Sequence, residues 1–225
     1  MVTEIRKAFH EELDQLTADT VQLAAMASES IQAGTTALLD FDLGAVERVV
    51  EGDRRLDDLT HSIEERTYSL MARQQPMAGD LRTLVTVLRA IHELERIGDL
   101  MINVVKAVRR LYPRPLEPKV RGILHRMGEQ ATEQVQLAID AFAERDPARA
   151  AALEDMDDVM DDLQKELFRT IFSGGQADDE AAIQRAVQIA LVGRYFERIA
   201  DHAVNVGERV EFMVTGHFHG EPTTA

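Results

Sequence analysis

Four pairs of carboxylates, each with a spacing of four residues, are the strongest candidates for chemistry in this sequence. The pairs are Asp53 and Asp57, Glu95 and Asp99, Asp157 and Asp161, and Glu197 and Asp201. Residues four apart in a helix share one face, with Cβ atoms about 5–6 Å apart. Two stacked anions repel each other, and a bound cation would turn that repulsion into coordination. Each pair therefore predicts half of a metal site.

The first two pairs can converge in a helical hairpin. In antiparallel helices, facing residues are equally far from the turn. Asp57 then faces Glu95, and Asp53 faces Asp99, if the turn is centred on Pro76, a residue that ends helices. The sequence thus predicts a first cluster, made of Asp53, Asp57, Glu95 and Asp99.

The other two pairs predict an equivalent second cluster. Its members are Asp157, Asp161, Glu197 and Asp201. Placing Asp157 opposite Asp201 centres the turn on residue 179, slightly beyond the middle of the visible break at 173–179. The register therefore stays open here, and Glu154 and Asp158 are alternative ligands in the same acid-rich stretch.

The chemistry of the donors narrows the choice of metal. The chain has no cysteine, and no histidine obviously belongs to either cluster. Carboxylates alone suit hard or borderline cations, so magnesium, manganese and iron are the candidates, and zinc also fits. Each cluster has enough oxygens for more than one ion. The identity of the metal stays open.

The acidic motif belongs to an internal duplication. Residues 95–99 read Glu-Arg-Ile-Gly-Asp, and residues 197–201 read Glu-Arg-Ile-Ala-Asp. At the same offset, Asn103 falls on Asn205. Because charged, polar and apolar positions recur together, we expect two copies of one structural unit.

Helix breakers divide each copy into three long helices. The predicted helices run from about Thr3 to Leu39, from Asp42 to Gln74, from Ala78 to Leu111, from Glu117 to Glu144, from Asp146 to Gly174–Gly175, and from Asp178 to Gly216. Short connections between such rods make antiparallel bundles. We therefore predict an all-α fold with a first three-helix repeat over 1–112, a proline-rich linker over 113–118, a second repeat over 119–216 and a flexible tail over 217–225.

The composition argues against nucleic-acid binding and against insertion into a membrane. The net charge is −15, which disfavours binding to nucleic acid, and the densest basic stretch is only Arg109, Arg110 and Arg114. No signal peptide and no apolar run of about 18 residues is visible, so we expect no membrane insertion and a cytoplasmic protein.

The chain resembles the PhoU family, the accessory regulators of bacterial phosphate-specific transport, from about residue 9 to 212. The resemblance rests on Asp53-x-x-x-Asp57, Gln75-Pro76, Asp80-Leu81-Arg82, the stretch Leu94–Asp99 and its second copy at 197–201. The second half lacks the Asp-Leu-Arg element. Its role in the family therefore belongs to one half at most.

The resemblance implies a cytoplasmic, commonly homodimeric protein of two three-helix bundles, with metal bound at the acidic motifs. It also implies action beside the ATPase subunit of a phosphate ABC transporter and a membrane sensor histidine kinase. Such proteins restrain phosphate uptake and act as negative regulators of the phosphate-starvation response. No enzymatic activity is implied.

Two other functions compete with this interpretation. A di-iron oxidoreductase also uses a carboxylate-rich helical bundle, but its sites carry Glu-x-x-His, and no histidine here follows a glutamate at that spacing. A metal-independent helical adaptor would use the same acidic faces to dock partners. Oxygen consumption tests the first alternative, and sensitivity to chelators tests the second.

Several polar residues near the motifs have more than one interpretation. His202 is expected behind the ligands or at the surface, and Asn103 and Asn205 are expected either to ligate metal or to hydrogen-bond a neighbour. Arg96 and Arg198 are expected to orient the acids or to pair with neighbours in their helix. The stretch His217–His219 is a weak metal motif within the predicted tail.

Overall fold

A computed structural model describes residues 2–173 and 180–217, which form six α-helices. The helices are α1 Val2–Asp40, α2 Leu43–Gln74, α3 Ala78–Leu111, α4 Pro118–Glu144, α5 Pro147–Phe172 and α6 Glu180–Thr215. The described chain contains no strand. The predicted all-α fold is therefore confirmed. The glycines at which α5 was expected to end, the expected start of α6 and most of the predicted tail lie outside the described residues.

The helix ends follow from local chemistry. Asp42 and Asp146 cap α2 and α5, because their side chains accept hydrogen bonds from the backbone N–H groups of Ala45 (3.0 Å) and Ala148 (2.9 Å). Pro147 occupies the first turn of α5, where its missing N–H costs nothing. These two aspartates stand at equivalent positions of the duplication.

The six helices form two three-helix bundles that pack side by side. Helices α1, α2 and α3 contact one another, as do α4, α5 and α6. The bundles meet where α1 packs on α4 and α3 packs on α6, whereas α2 and α5 contact only helices of their own bundle. The order across the molecule is thus α2, then α1 with α3, then α4 with α6, then α5.

Helices α3 and α6 cross antiparallel at the centre of the molecule. Arg82 donates to the carbonyl of Met213 at 3.2 Å, and Thr86 donates to that of Arg209 at 3.3 Å. In the antiparallel register that these contacts set, Ile97 lies roughly opposite Ile199. Both side chains are fully buried. The two acidic motifs therefore lie near an approximate twofold axis that relates the halves.

A partly buried polar contact joins the bundles beside this axis. Glu93 of α3 lies 2.6 Å from Nδ1 of His202 and accepts a hydrogen bond from Asn205 at 3.2 Å. His202 and Asn205 thus face the other bundle. Both hydrogen-bond to Glu93, and neither pairs with a motif carboxylate.

Close approach between the bundles depends on a small residue. A Cβ atom on Gly128 of α4 would lie 2.5 Å from the side chain of Thr35 in α1. A single apolar core, extending from Phe9 to Met213, runs through both bundles. None of the described helices is long and apolar enough to cross a bilayer.

Candidate metal centre

The first cluster lies along the seam between α2 and α3. Leu56 and Ile97, at 1% and 0% exposure, turn into the core and leave the motif acids at the edge of the seam. A Cβ atom on Gly98 would stand 2.8 Å from Oδ1 of Asp53. The absence of a side chain at Gly98 therefore lets the Asp53 carboxylate rest against the backbone of α3.

The charges of the four carboxylates act on one another. Burial, followed by the negative charges of Asp57, Asp99 and Glu95, raises the pKa of Asp53 from 3.8 to about 6, while Lys106 opposes the rise. Burial, followed by the charges of Glu95 and Asp99, also raises the pKa of Asp57. The structure thus brings Asp53, Asp57, Glu95 and Asp99 together.

An arginine and a histidine already contact part of the first cluster. Arg96 donates to Asp99 at 2.9 Å, and His92 lies 3.3 Å from Glu95. Both are neighbours three residues away in the same helix. Arg96 therefore pairs with a motif acid, one of its two expected roles.

The second cluster occupies the matching seam between α5 and α6. Burial, followed by the charges of Asp201 and Asp161, raises the pKa of Asp157, and Asp158 contributes more weakly. Asp157 therefore lies near Asp201. Asp161 lies 3.8 Å from Lys165, the cation one helical turn farther along α5.

Glu197 is the most enclosed of the predicted ligands. Its residue exposure is 8%, and one carboxylate oxygen pairs with Arg194. The other oxygen, Oε2, is buried without a hydrogen-bond partner. A buried anionic oxygen with no donor is a costly arrangement, and it is suited to receiving a cation.

The donor set fits a hard cation, but the side chains are not yet arranged around one. No group of three or more His, Asp or Glu residues in the described ranges is disposed to hold a metal ion. Arg96, Arg194 and Lys165 each pair with one of the acids. The carboxylates also repel one another, and both effects keep their oxygens apart. Side-chain rotations would be needed to gather the oxygens.

One polar residue beside the second cluster was not anticipated from the sequence. Gln134 of α4 is fully buried, and its side chain lies within hydrogen-bonding reach of Asp157, where it lowers the pKa of that carboxyl and so opposes part of the rise. The sequence does carry a signal for it. Gln134 interrupts the apolar face made by Ala131, Val135 and Ala138, where burying a polar side chain costs free energy unless it is paired.

The duplicated helical sequence matches a known domain. The PhoU domain matches this chain twice, over residues 20–108 and 124–210. The chain belongs to the PhoU family. The two matches coincide with the two bundles, one match for each.

Relatives named in the PhoU family cover nearly the whole chain. The phosphate-specific transport system accessory protein PhoU homolog 1 of Mycobacterium tuberculosis is 36% identical over 94% of this chain and 95% of its own length. The PhoU homolog of Rhizobium meliloti is 31% identical over 94% of this chain and 89% of its own length.

Solved PhoU structures share the fold. The crystal structure of PhoU from Pseudomonas aeruginosa has a TM-score of 0.86 and 30% identity, covering 93% of this chain and 100% of its own. The phosphate transport system regulatory protein PhoU from Streptococcus pneumoniae has a TM-score of 0.83 and 25% identity, covering 93% of this chain and 98% of its own.

Proposed function

We propose that this PhoU-family protein regulates phosphate uptake and phosphate-starvation signalling, and that it binds metal at both carboxylate clusters. It would act in the cytoplasm, as a homodimer, by contact with the ATPase subunit of a phosphate ABC transporter and with a sensor histidine kinase. Its relatives are named as accessory and regulatory proteins of phosphate transport, which favours regulation over catalysis.

The convergence of carboxylates from two helices carries the metal part of the proposal. Asp53, with a pKa of about 6, stays half-buried beside three other acids. Such an arrangement weakens the fold unless a cation or protons offset the charge. A bound metal would polarise and hold these oxygens, and the helices would fix where its charge is presented to a partner. Magnesium, manganese, iron and zinc all accept such donors.

Elemental analysis of protein purified without chelators tests metal binding. The double variant Glu95→Ala with Asp99→Ala should lose about half of the bound metal, because the second cluster is untouched. Glu129→Ala with Glu133→Ala is the matched control, since these exposed acids have the same spacing on α4 but stand apart from both seams. Unchanged stoichiometry in the first variant would overturn the assignment of the first cluster.

Regulation is tested separately in a bacterium that lacks its own PhoU-type protein. Wild-type protein should restore repression of a phosphate-starvation reporter when phosphate is plentiful. The double variant in the first cluster should restore less repression at equal protein level. Full repression by that variant would argue that metal at the first cluster is not needed for signalling.

A metal-independent adaptor is the second candidate, because Arg96, Arg194 and Lys165 already neutralise part of the acidic seams. The two functions differ in their response to a chelator. An adaptor keeps its repression and its melting temperature after EDTA treatment. A metal-dependent regulator loses at least one of them.

A further inference from the structure

The densest basic stretch of the chain borders an apolar groove, the linker groove. It has a volume of about 520 Å³ and lies where the end of α3 and the linker meet the start of α6. Arg110 and Arg114 line it on one side, and Ile183 and Val187 line it on the other. Val187 precedes Glu197 by ten residues of α6, about 15 Å along the helix axis, so the groove stands apart from the second carboxylate cluster.

Large apolar side chains are exposed at the linker groove. Tyr112, Ile183 and Val187 line it and are 55%, 48% and 45% exposed. Ile183 and Val187 lie about one turn apart on α6, so they form a short apolar ridge. Apolar side chains that are gathered at one exposed place mark a binding surface, whereas scattered ones need no explanation.

Arg185 holds the linker side of the groove in place. Its guanidinium donates to the backbone carbonyls of Leu111 at 3.0 Å, of Arg114 at 2.7 Å and of Pro115 at 2.7 Å. The planar, rigid guanidinium fixes the direction of the segment that it bonds. The groove therefore needs little ordering when a partner binds, which favours affinity.

The positive charge at the groove is not neutralised by acids of the chain. Arg110 donates to the neutral amide of Gln188 at 3.1 Å. Within the ranges that the structure describes, no carboxylate forms an ion pair with Arg109, Arg110 or Arg114. On a chain with a net charge of −15, these arginines make a local positive surface. Guanidinium groups bind carboxylates strongly, because both are planar and can form two parallel hydrogen bonds.

The duplication separates the apolar part of this surface from its charge. At the opposite end of the contact between α3 and α6, Leu81 takes the place of Ile183, and Val214 takes that of Tyr112. Both are also exposed. The arginines do not recur, since the positions of Arg109, Arg110 and Arg114 hold Glu211, Phe212 and Gly216. Of these two ends, as far as the structure describes them, the linker groove alone combines exposed apolar side chains with arginines.

We propose that the linker groove binds an acidic amphipathic helix of a partner protein. The apolar side chains of that helix pack on Ile183, Val187 and Tyr112, and its carboxylates pair with Arg110 and Arg114. A ridge with a spacing of four residues is the surface that packs against another helix. This inference rests on the proposed function, because the ATPase subunit or the sensor histidine kinase supplies the helix. The net charge of −15 disfavours an anionic bilayer as the occupant.

Biolayer interferometry with the purified ATPase subunit and with the cytoplasmic part of the kinase tests the charged half of the proposal. Arg110→Glu with Arg114→Glu should weaken the binding of at least one of them about tenfold or more and remove most of its dependence on salt. Arg6→Glu with Arg55→Glu is the matched control, since it makes the same change of charge at exposed sites on α1 and α2. The control should change the affinity less than about twofold.

A pair of equivalent substitutions tests the apolar half. Ile183→Ser should weaken the same interaction about tenfold, because it removes part of the ridge. Leu81→Ser, at the matching exposed position of the opposite end, should change the affinity less than about twofold. Equal effects of the two substitutions would overturn the choice of this end. Circular dichroism checks that both variants keep their helices.

Photo-cross-linking identifies the segment that enters the groove. The chain has no cysteine, so Ile183→Cys provides a single attachment point for a benzophenone. Illumination with the purified partner should join the benzophenone to a helix that is rich in Asp and Glu and has apolar residues at helical spacing. Leu81→Cys is the matched control and should give little of this product. A product with a neutral or basic segment would overturn the proposal.

The remaining outcomes separate this inference from the proposed function. Unchanged binding in the arginine variant, with the reporter still repressed, would overturn only the assignment of the groove. A cross-link between two copies of this chain would overturn it in favour of self-association. Binding to phosphatidylglycerol vesicles that the arginine variant loses would overturn it in favour of a lipid surface. If wild-type protein bound neither purified partner, the inference would fail, and if it also failed to repress the reporter, the proposed function would fail with it.

Discussion

At the Asp53 carboxyl, burial and neighbouring charges act in the same direction. Burial disfavours the ionised form, and the carboxylates of Asp57, Asp99 and Glu95 disfavour it further. The folded protein therefore holds a proton at this position more tightly than the unfolded chain does. A metal ion and a proton compete for the same oxygens, so acid should release the metal.

The stability of the metal-free protein should depend on this carboxyl. The pKa of Asp53 rises from 3.8 to about 6 on folding, so the free energy of unfolding should fall as pH rises between these values and stay lower above them. Two pKa units correspond to about 2.7 kcal/mol, which solvent at this half-buried side chain reduces to about 1 kcal/mol. Asp53→Asn should restore about that much at pH 7.

Urea unfolding in EDTA at several pH values measures the effect. The variant should also lose the share of the pH dependence between about pH 4 and 6 that Asp53 contributes, while Asp57 and Asp157, whose pKa values are also raised, keep theirs. Asp14→Asn, an exposed acid on α1, is the control and should leave the profile as it is. An Asp53→Asn variant whose free energy of unfolding does not rise relative to that of wild type between about pH 4 and 7 would contradict the environment assigned to Asp53.

Gly98 sets how closely Asp53 can approach α3. The Cβ atom of Gly98→Ala would push against a carboxylate oxygen 2.8 Å away, which can rotate aside. We expect the fold to change in stability by less than about 1 kcal/mol, and Mn²⁺ binding at the first cluster to weaken about tenfold. Calorimetric titration with Mn²⁺ measures the change in binding. Ala200→Gly, at the equivalent position, is the reciprocal control and should leave Mn²⁺ binding unchanged.

The motif acids were predictable because helical periodicity and the turn at Pro76 together fix which residues face each other. The negative charges of Glu95 and Asp99 both raise the pKa of Asp57, so these acids lie near one another, and their role as metal ligands stays a prediction. Gln134 was not predicted, because it comes from a helix without a motif. Its approach to Asp157 depends on how α4 rotates about its axis, which packing decides. His202 likewise lies where the contact of α3 with α6 places it.

At the scale of the helix, three non-glycine residues end or follow helices in the left-handed conformation. Phe41, Gln75 and Arg145 have φ values of 56°, 45° and 54°. Side chains disfavour this region by about 1–2 kcal/mol relative to the right-handed one, whereas glycine adopts it freely. These positions store a small strain that the flanking helices impose.

Arg145→Gly should therefore stabilise the protein by about 0.5–1 kcal/mol, because the exposed arginine at the end of α4 has φ 54°. Ala143→Gly, two residues earlier and exposed within the helix, should instead cost about 1 kcal/mol. Chemical denaturation of both variants measures the contrast. A loss of stability in both would show that the left-handed conformation does not strain Arg145.

Most helix boundaries could be predicted from the sequence, because each has a local cause. Asp42 and Asp146 cap, Pro147 starts a helix, and Pro76 follows the end of another. The packing of α1 on α4 and of α3 on α6 could not be predicted from the sequence. Both of the inner helices of each bundle carry apolar residues on more than one face, and periodicity cannot assign a partner to each face.

For the molecule as a whole, Gly128 is a point of close contact between the bundles. A Cβ atom there would lie 2.5 Å from two atoms of the Thr35 side chain. Gly128→Ala should therefore cost about 1–3 kcal/mol, because buried side chains and helices must shift. Gly122→Ala on the same helix meets nothing within 4 Å and should stabilise the fold by up to about 1 kcal/mol.

Unfolding by denaturant distinguishes the two variants. Combining Gly128→Ala with Thr35→Ala should recover part of the loss, since the side chain that obstructs the new methyl group is removed. Thr35 contributes no hydrogen bond from its hydroxyl that would be lost. Additive effects in the double variant would show that the two residues are not in contact.

The side-by-side packing of two like bundles has a consequence for the origin of the chain. Separated at the linker, each half would expose the apolar flanks of α1 and α3, or of α4 and α6, and each flank is shaped to meet a near-copy of itself. An isolated half should therefore form a homodimer through the surface that now contacts the other half. The present molecule would then be an ancestral pair fused into one polypeptide, whose two sides became free to diverge.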